Sequence, residues 1–299
     1  MARVGIGVPV YNGGTMLAEA LECLRTQDFE DFEVVMGDNA SDDQTGEICA
    51  EYAARDARFI HLRRSTNIGA LANFQSLSRE SSAELFCWRA HDDLSDPDYL
   101  EQLVALFDEN PNARLAVGKV RMEDEDEAAP IFTEYPQLPG GSRLSRIRHQ
   151  LHSSSAAWIY GLWHRETLTR FQDRVLTDYP HEWGWDHLTM LPLILDGSIV
   201  GTSRTHFIQR IFRAHRRRGR PGDDASPGEK REAKRARVER KLAIRADFDR
   251  VARAIVFERS WSVRERAVLR ALLPRYVNRC SYSRWKLLRS SLGMRLGIV

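Results

Sequence analysis

At 299 residues and 42% apolar composition, the chain is long enough for one large α/β domain with an extension, or for two modest domains. Its four cysteines, Cys23, Cys49, Cys87 and Cys280, form no CxxC pair, which argues against a zinc module or a secreted disulfide framework and favours a reducing cytosol. The net charge of +2 hides an asymmetry: from Arg210 onward 26 basic residues face 9 acidic ones, while residues 1–209 hold 18 against 33, so a body of −15 carries a tail of +17.

Taken in chain order, "RVGIGVPV", "FEVVMGD", "FIHLRR", "ELFCWRA" and "RLAVGKV" predict strands of near-continuous apolar character, as in a sheet buried on both faces. Between them "TMLAEALECLRTQ", "QTGEICAEYAARD", "ALANFQSLSRE" and "PDYLEQLVALFDEN" carry apolar residues at helical spacing. This alternation predicts a doubly wound, mostly parallel sheet flanked by helices. Ser41 and Gln44 suggest a capping box for the second helix, and Asn110–Pro111 closes the fourth. From Glu123 to Ser142 acidic residues, prolines and a Gly–Gly pair predict a loop or hairpin. "WGWDHLTMLPLILDGSIVGTS" reads as a helix interrupted by Pro192 and followed by a strand. The segment "RRRGRPGDDASPGEKREAKRAR" predicts a polar, mobile loop leading into a long helix, and the last 70 residues are helical in pattern. No apolar stretch approaches the ~20 residues of a membrane helix, and the N-terminal run lacks the zones of a signal peptide. The expected location is cytoplasmic, with the basic tail able to rest on the inner face of an anionic membrane.

The glycines of "GIGVPVYNGG" lack dinucleotide-fingerprint spacing and no P-loop motif is present. A ligand at an open α/β sheet sits at the carboxyl ends of the strands. Tyr11 and Asn12, Asp38, and Asp92 and Asp93 all follow predicted strands there. Tyr11 offers a face on which a nucleobase can stack. Two adjacent carboxylates suit a hard divalent cation whose shell is completed by phosphate oxygens and water. Asp96 and Asp98 are expected in the following turn and helix start.

In order and spacing, "VPVYN", "VVMGDNASDDQT", "NIGALANF" and "HDDLSDPDYL" resemble the successive motifs of family 2 glycosyltransferases, nucleotide-sugar enzymes of the GT-A fold. The resemblance covers residues 3 to about 125, and "IYGLWHRETL", "WDHLTMLPLILDGSIVG" and "IFRAH" continue it more weakly. It implies an inverting, metal-dependent hexosyl transfer from a nucleoside-diphosphate sugar, UDP-linked first of all, to a saccharide or lipid-linked acceptor in polysaccharide, lipopolysaccharide or glycoconjugate synthesis. The implied substrate contacts are Pro9, Tyr11, Asn12, Asp38, Asn67, Asp92, Gly161 and Trp185. The implied ligands of Mn2+ or Mg2+ are Asp93 and His215, although His91 stands where many relatives carry a further aspartate. The base falls to Asp186, the surviving member of a Glu–Asp pair that here reads Trp185–Asp186, with Glu182 its rival if the chain is helical there. Trp163, Trp183 and Trp185 are expected near the acceptor.

The expected division is a GT-A domain over 1–212, with its acceptor side at about 123–212, and a basic helical extension over 213–299. Two rivals explain less. A sugar-phosphate nucleotidyltransferase would need a Gly-rich, Arg-containing first loop that "PVYNGG" lacks. A nucleic-acid-binding protein would leave the acidic body and its aspartates without a role, so no nucleic acid is expected.

Overall fold

The computed structural model describes residues 2–136, 141–212, 226–283 and 287. The chain forms two compact units. The first comprises Met1–Gln137, Ala157–Arg174 and Asp196–Ile211; the second comprises Leu138–Ala156, Val175–Leu195 and Phe212–Val299. Beside the C-terminal third, the second unit therefore takes in two segments that sequence pattern alone groups with the sheet domain.

The first unit is built on a nine-stranded sheet. Its strands are β1 (Val4–Val10), β2 (Phe32–Asp38), β3 (Phe59–Arg63), β4 (Leu85–Trp88), β5 (Leu94–Ser95), β6 (Leu115–Asp124), β7 (Ile131–Thr133), β8 (Leu162–His164) and β9 (Ile199–Ile211). They lie in the order β3-β2-β1-β4-β8-β6-β9-β5, with β7 paired to β6. β1 to β4 are mutually parallel, and β8 runs antiparallel between β4 and β6. All seven residues of β1 are buried, as the apolar run requires of a central strand. The edge strand β3 buries only Phe59 fully.

Four helices, α1 (Gly14–Arg25), α2 (Thr45–Arg55), α3 (Ala70–Glu80) and α4 (Tyr99–Glu109), lie where the periodicity places them. In α1 the buried residues Leu17, Ala20, Leu21 and Leu24 follow the i, i+3, i+4, i+7 spacing of one helix face. The five predicted strands are likewise present, and Glu123–Ser142 contains the hairpin strand β7.

Two local expectations fail. Ser41 and Gln44 form no capping box: α2 begins at Thr45 with Gln44 at its N-cap and no side-chain cap bond. Ser41 Oγ instead accepts from Asn12 N, and Asp43 accepts from Thr45 N, because joining two loops satisfies more backbone donors than a cap would. Pro192 does not interrupt its helix either. The helix containing it, α7, is continuous over Trp185–Asp196. Residues Leu188–Leu195 are all buried, so packing offsets the hydrogen bond a mid-helix proline forfeits.

Gly161 marks a close approach inside the first unit. It lies between a 3-10 turn (Ala156–Tyr160) and β8, where an added Cβ would meet Ala116 O at 2.5 Å. The neighbour is strand backbone, which cannot swing away. Gly161→Ala is expected to destabilise the fold by ~2–3 kcal/mol, read as a lower urea midpoint with an unchanged slope; an unchanged midpoint would show that β6 and β8 separate freely.

The second unit is helical. It contains α5 (Arg143–Ser153), α7 as far as Leu195, α8 (Pro227–Phe257) and α9 (Val263–Cys280), together with the end of α6 (Arg165–Asp178). Both long C-terminal helices start with reciprocal capping boxes, Ser226 with Glu229 and Ser262 with Glu265, and Pro227 occupies the first turn of α8, where a missing N–H costs nothing. Tyr276 and Phe248 are fully buried between these helices. Among the described residues no helix is long and apolar enough to cross a membrane. The four cysteines are free thiols, and burial pushes Cys49 and Cys280 up to about 12 and Cys87 up to about 11.

Candidate active site

Because β1, β2 and β4 are parallel neighbours, the loops leaving their carboxyl ends gather at one edge of the sheet. The first two are stitched together. Asn12 Nδ2 donates to Asp42 at 2.7 Å and Asp42 N donates back to Asn12 Oδ1 at 3.1 Å. Gly13 N donates to Thr45 Oγ1 and Gly14 N to Asp43. Asn12 holds φ at 52°, a conformation asparagine tolerates better than most residues. Tyr11 is left 48% exposed beside this clamp, while Pro9 is buried inside β1, paired with Gly37.

Asp38 ends β2 fully buried. One carboxylate oxygen accepts from Ser41 N at 2.9 Å and the other from Arg63 Nη1 at 3.0 Å, so its visible work is to hold the loop and Arg63. Asn67 accepts from Asn39 Nδ2 and from Gly69 N, fixing the turn before α3.

Asp92 and Asp93 follow β4 in a turn. Their loop is held by two arginines that the motif pattern does not single out. Arg89 is completely buried; it donates to Leu94 O at 2.6 Å and Ser95 Oγ at 3.0 Å and lies over the rings of Tyr99 and Phe207. Arg210, near the end of β9, donates its backbone N–H to Asp93 Oδ1 at 2.9 Å and its side chain to Asp92 O and Glu19. The signals available in sequence were an arginine inside an apolar strand run and one immediately before "IFRAH". Asp93 is 3% exposed. Burial first, then the neighbouring Asp92 charge, pushes its carboxyl up to about 7, against the Arg210 N–H bond. Asp92 is half-buried, with His91 Nδ1 at 3.9 Å. Asp96 and Asp98 stand apart: Asp96 accepts from His206 N and Nδ1, and Asp98, at the N-cap of α4, accepts from Thr205 Oγ1.

The Arg89 and Arg210 charges offset part of this cost, and a bound cation would offset more of it. Asp93 commits one oxygen to Arg210 N–H, and Asp92 adds a second hard donor. Two hard carboxylate donors fit a divalent cation that takes the rest of its shell from phosphate oxygens and water; among the described residues no group of three metal-type side chains gathers at one point. His215, the other expected ligand, lies outside the described residues.

In the second unit Asp186 sits in the first turn of α7, where the helix N-terminus favours a negative charge. Its Oδ1 accepts from His187 N at 2.7 Å. Burial outweighs that bond and raises the carboxyl to about 6, a value suited to a base acting near neutrality. Trp185 is buried and its carbonyl accepts from Thr189 Oγ1. His187 is buried beside it, with its pKa lowered to about 3 by desolvation, and its carbonyl accepts from Tyr276 Oη. Glu182 is exposed in a bend before the helix begins, so the helical turn that would place it behind Asp186 does not form. Of the three tryptophans expected near the acceptor, Trp163 is a core residue of the first unit with its N–H bonded to Ile159 O; Trp183 and Trp185 belong to the second.

A sequence model described as glycosyl transferase family 2 matches residues 6–158, a little over half of the chain. The uncharacterized protein Rv1520 of Mycobacterium tuberculosis is 35% identical over 138 residues, 45% of this chain and 39% of that protein. Glycosyltransferase GlyA of Streptococcus pneumoniae is 30% identical over 130 residues, 44% of this chain and 18% of that protein. The chain thus matches less than half the length of these relatives. Among solved structures, S. aureus TarS superposes with a TM-score of 0.59 at 18% identity, covering 96% of this chain and 45% of that one. Its 1–349 form in complex with UDP-GlcNAc gives 0.53 at 19% identity, covering 92% and 80%. The mannosyltransferase PcManGT from Pyrobaculum calidifontis, in complex with GDP-Man and Mn2+, gives 0.51 at 17%, covering 98% and 86%. The sheet and its flanking helices are therefore of the GT-A type.

Proposed function

The chain belongs to glycosyl transferase family 2, and from that premise we propose that it is an inverting glycosyltransferase using a nucleoside-diphosphate sugar, with UDP as the first candidate nucleotide. The observation that carries this reading is the pair Asp92–Asp93 at the carboxyl end of β4, with Asp93 buried and pinned by Arg210 N–H. Even with the Arg89 and Arg210 charges nearby its carboxyl stays raised, so a cation bound there would relieve a remaining cost.

In this reading Tyr11 stacks on the nucleobase, Asn12 and Asn67 border it, and Asp38 acts through Arg63 or on the base itself. Pro9 and Gly161 shape the backbone around the donor. Asp92 contacts the ribose or the cation's surroundings, and Asp93 holds the cation, Mn2+ or Mg2+, with His215 as a further ligand. When bound, that ion offsets the charge developing on the departing diphosphate. Asp186 accepts the acceptor hydroxyl's proton while that oxygen bonds to the anomeric carbon and the nucleoside diphosphate leaves. One carbon–oxygen bond forms as one breaks, and the configuration inverts. Trp185, next to the base in the chain, contacts the substrate. The acceptor is a saccharide or lipid-linked saccharide, and the +17 tail can lie against an anionic membrane surface.

Tyr11→Ala is expected to weaken nucleoside-diphosphate binding roughly tenfold, read by calorimetric titration; equal affinity in the variant would remove the ring from the site. The reading as a whole is tested by incubating the protein with UDP-, GDP- and dTDP-sugars, Mn2+ and a glycan acceptor pool, and following sugar transfer by mass spectrometry. Transfer from one nucleotide class is the expected result. Absence of both transfer and metal-dependent nucleotide binding would contradict it.

A further inference from the structure

The second unit carries a cavity of about 630 Å³ whose walls include Trp183, Glu182, Arg237, Arg240, Lys241 and Tyr282. Its chemistry is uneven in an informative way. Trp183 stacks on Tyr282 with centroids 5.4 Å apart and planes at 14°, yet remains 54% exposed. Arg237, Arg240 and Lys241 follow one face of α8 at i, i+3 and i+4, and Lys241 Nζ lies 5.0 Å from the Tyr282 ring centroid. The carboxylates near them on the helix are engaged elsewhere: Glu239 with Arg235, Asp247 with His181 and Arg250. Three cations therefore share a wall on which, among the described residues, Glu182 is the acidic member.

The loop bearing the platform is fixed rather than draped. Tyr179 Oη donates to Trp183 O at 2.5 Å, and His181 Nε2 lies 2.9 Å from Asp247 on α8. Gly184 adopts φ of 90°, and an added Cβ would come within 3.1 Å of Phe248. Trp183 also precedes Asp186 by three residues, so their Cα atoms lie within ~11 Å of each other. The cavity walls come within three residues of Asp186 in the chain without including it.

An exposed indole face suits the apolar face of a sugar ring, Glu182 can accept sugar hydroxyls, and a cluster of guanidinium and ammonium groups suits phosphate oxygens. We infer that this cavity is an acceptor subsite for a phosphate-bearing saccharide, the ring lying on Trp183 and the phosphate on Arg237, Arg240 and Lys241. The inference rests on the reading of Asp186 as the base, and deepens it by naming the acceptor's chemistry.

The test is calorimetric titration of the full chain with glucose 1-phosphate, methyl glucoside and inorganic phosphate. It is repeated on Arg237→Ala/Arg240→Ala and on Trp183→Ala, with UDP, GDP and dTDP plus Mn2+ titrated in parallel. Both arginines are exposed on a helix, where alanine keeps the fold. Glucose 1-phosphate should bind about tenfold more tightly than either fragment. The double arginine variant should lose about tenfold for it, and Trp183→Ala a comparable amount, with nucleotide affinity unmoved. No binding of glucose 1-phosphate, or binding indifferent to the arginines, overturns the subsite. Loss of binding to phosphatidylglycerol vesicles in the arginine variant, with sugar-phosphate affinity intact, assigns those cations to a membrane and also overturns it. If every nucleotide fails to bind while the arginine-dependent sugar phosphate binds, the transferase reading falls, and with it the acceptor role, and the cavity stands as a sugar-phosphate site alone.

Discussion

Asp186→Asn is expected to cut sugar transfer by about a thousandfold while making the protein more heat-stable at pH 7. The two effects share one cause. Burial raises the Asp186 carboxyl in the folded chain to about 6, above its value in an unfolded one. The fold therefore keeps the proton that the unfolded chain has lost between roughly pH 4 and pH 6. This group's contribution to stability is fullest below that window, falls through it, and is a penalty on the order of 2 kcal/mol above it. Asparagine keeps the acceptor oxygen for His187 N and removes the charge, so at pH 7 the melting temperature should rise by roughly 5 °C. Burial raises the neighbouring Tyr179, Tyr276 and Cys280 far above that window, while His187, lowered to about 3, adds an opposite slope through it that the variant leaves unchanged and that is complete by pH 7. In the unmodified protein, with Mn2+ saturating so that Asp93 stays ionised, kcat/KM should fall on the acid side with a midpoint near pH 6. Full activity in Asp186→Asn would assign the base elsewhere. A lower melting temperature at pH 7 would show that a neighbouring group compensates the buried charge.

Asp93→Asn is the second large effect. The amide oxygen can still accept from Arg210 N, so the turn after β4 should persist and the melting temperature should hold or rise slightly. Only the charge disappears. Binding of a nucleoside diphosphate in the presence of Mn2+ should weaken about a hundredfold, to the level of the unmodified protein in a chelator. A variant that binds as before, with the cation still enhancing affinity, would remove Asp93 from the cation's shell. Arg210 offers a structural contrast: it joins Asp93, the Asp92 carbonyl and Glu19, so its replacement would disturb geometry and charge together and is the less informative experiment.

Much of the first unit is legible in the chain because its signals are local. Apolar runs of strand length alternate with helix-period segments, and the resulting elements fall where the pattern puts them. The positions of Tyr11, Asn12, Asp38 and the two aspartates follow from strand ends alone. What the pattern misses is carried by long-range partners. Arg210 reaches Asp93 across 117 residues, and Arg89, an arginine in an apolar run, looks like an interruption until Leu94 O, Ser95 and two aromatic rings surround it.

Local rules also fail where tertiary packing overrides them. Ser41 serves Asn12 instead of a helix cap, and Pro192 stays inside α7 because its neighbours are buried on all sides. Trp163 reads as an acceptor-side aromatic from its neighbourhood in sequence, yet it is core, since a β-strand partner and not its flanking motif decides its surroundings. The grouping of residues 138–156 and 175–195 with the C-terminal helices has no local signature at all. It depends on contacts such as Arg279 with Leu151 and Ser154, and Tyr276 with the His187 carbonyl.

In the proposed function the sheet edge binds a nucleoside diphosphate through a cation held by Asp93. Calorimetric titration of the full chain with UDP, GDP and dTDP, each with Mn2+ and with a chelator, tests it most directly. Binding of one diphosphate that the ion strengthens, and that Asp93→Asn weakens about a hundredfold to the chelator level, is the predicted result. Binding of none, or binding that neither the chelator nor the variant changes, would contradict it.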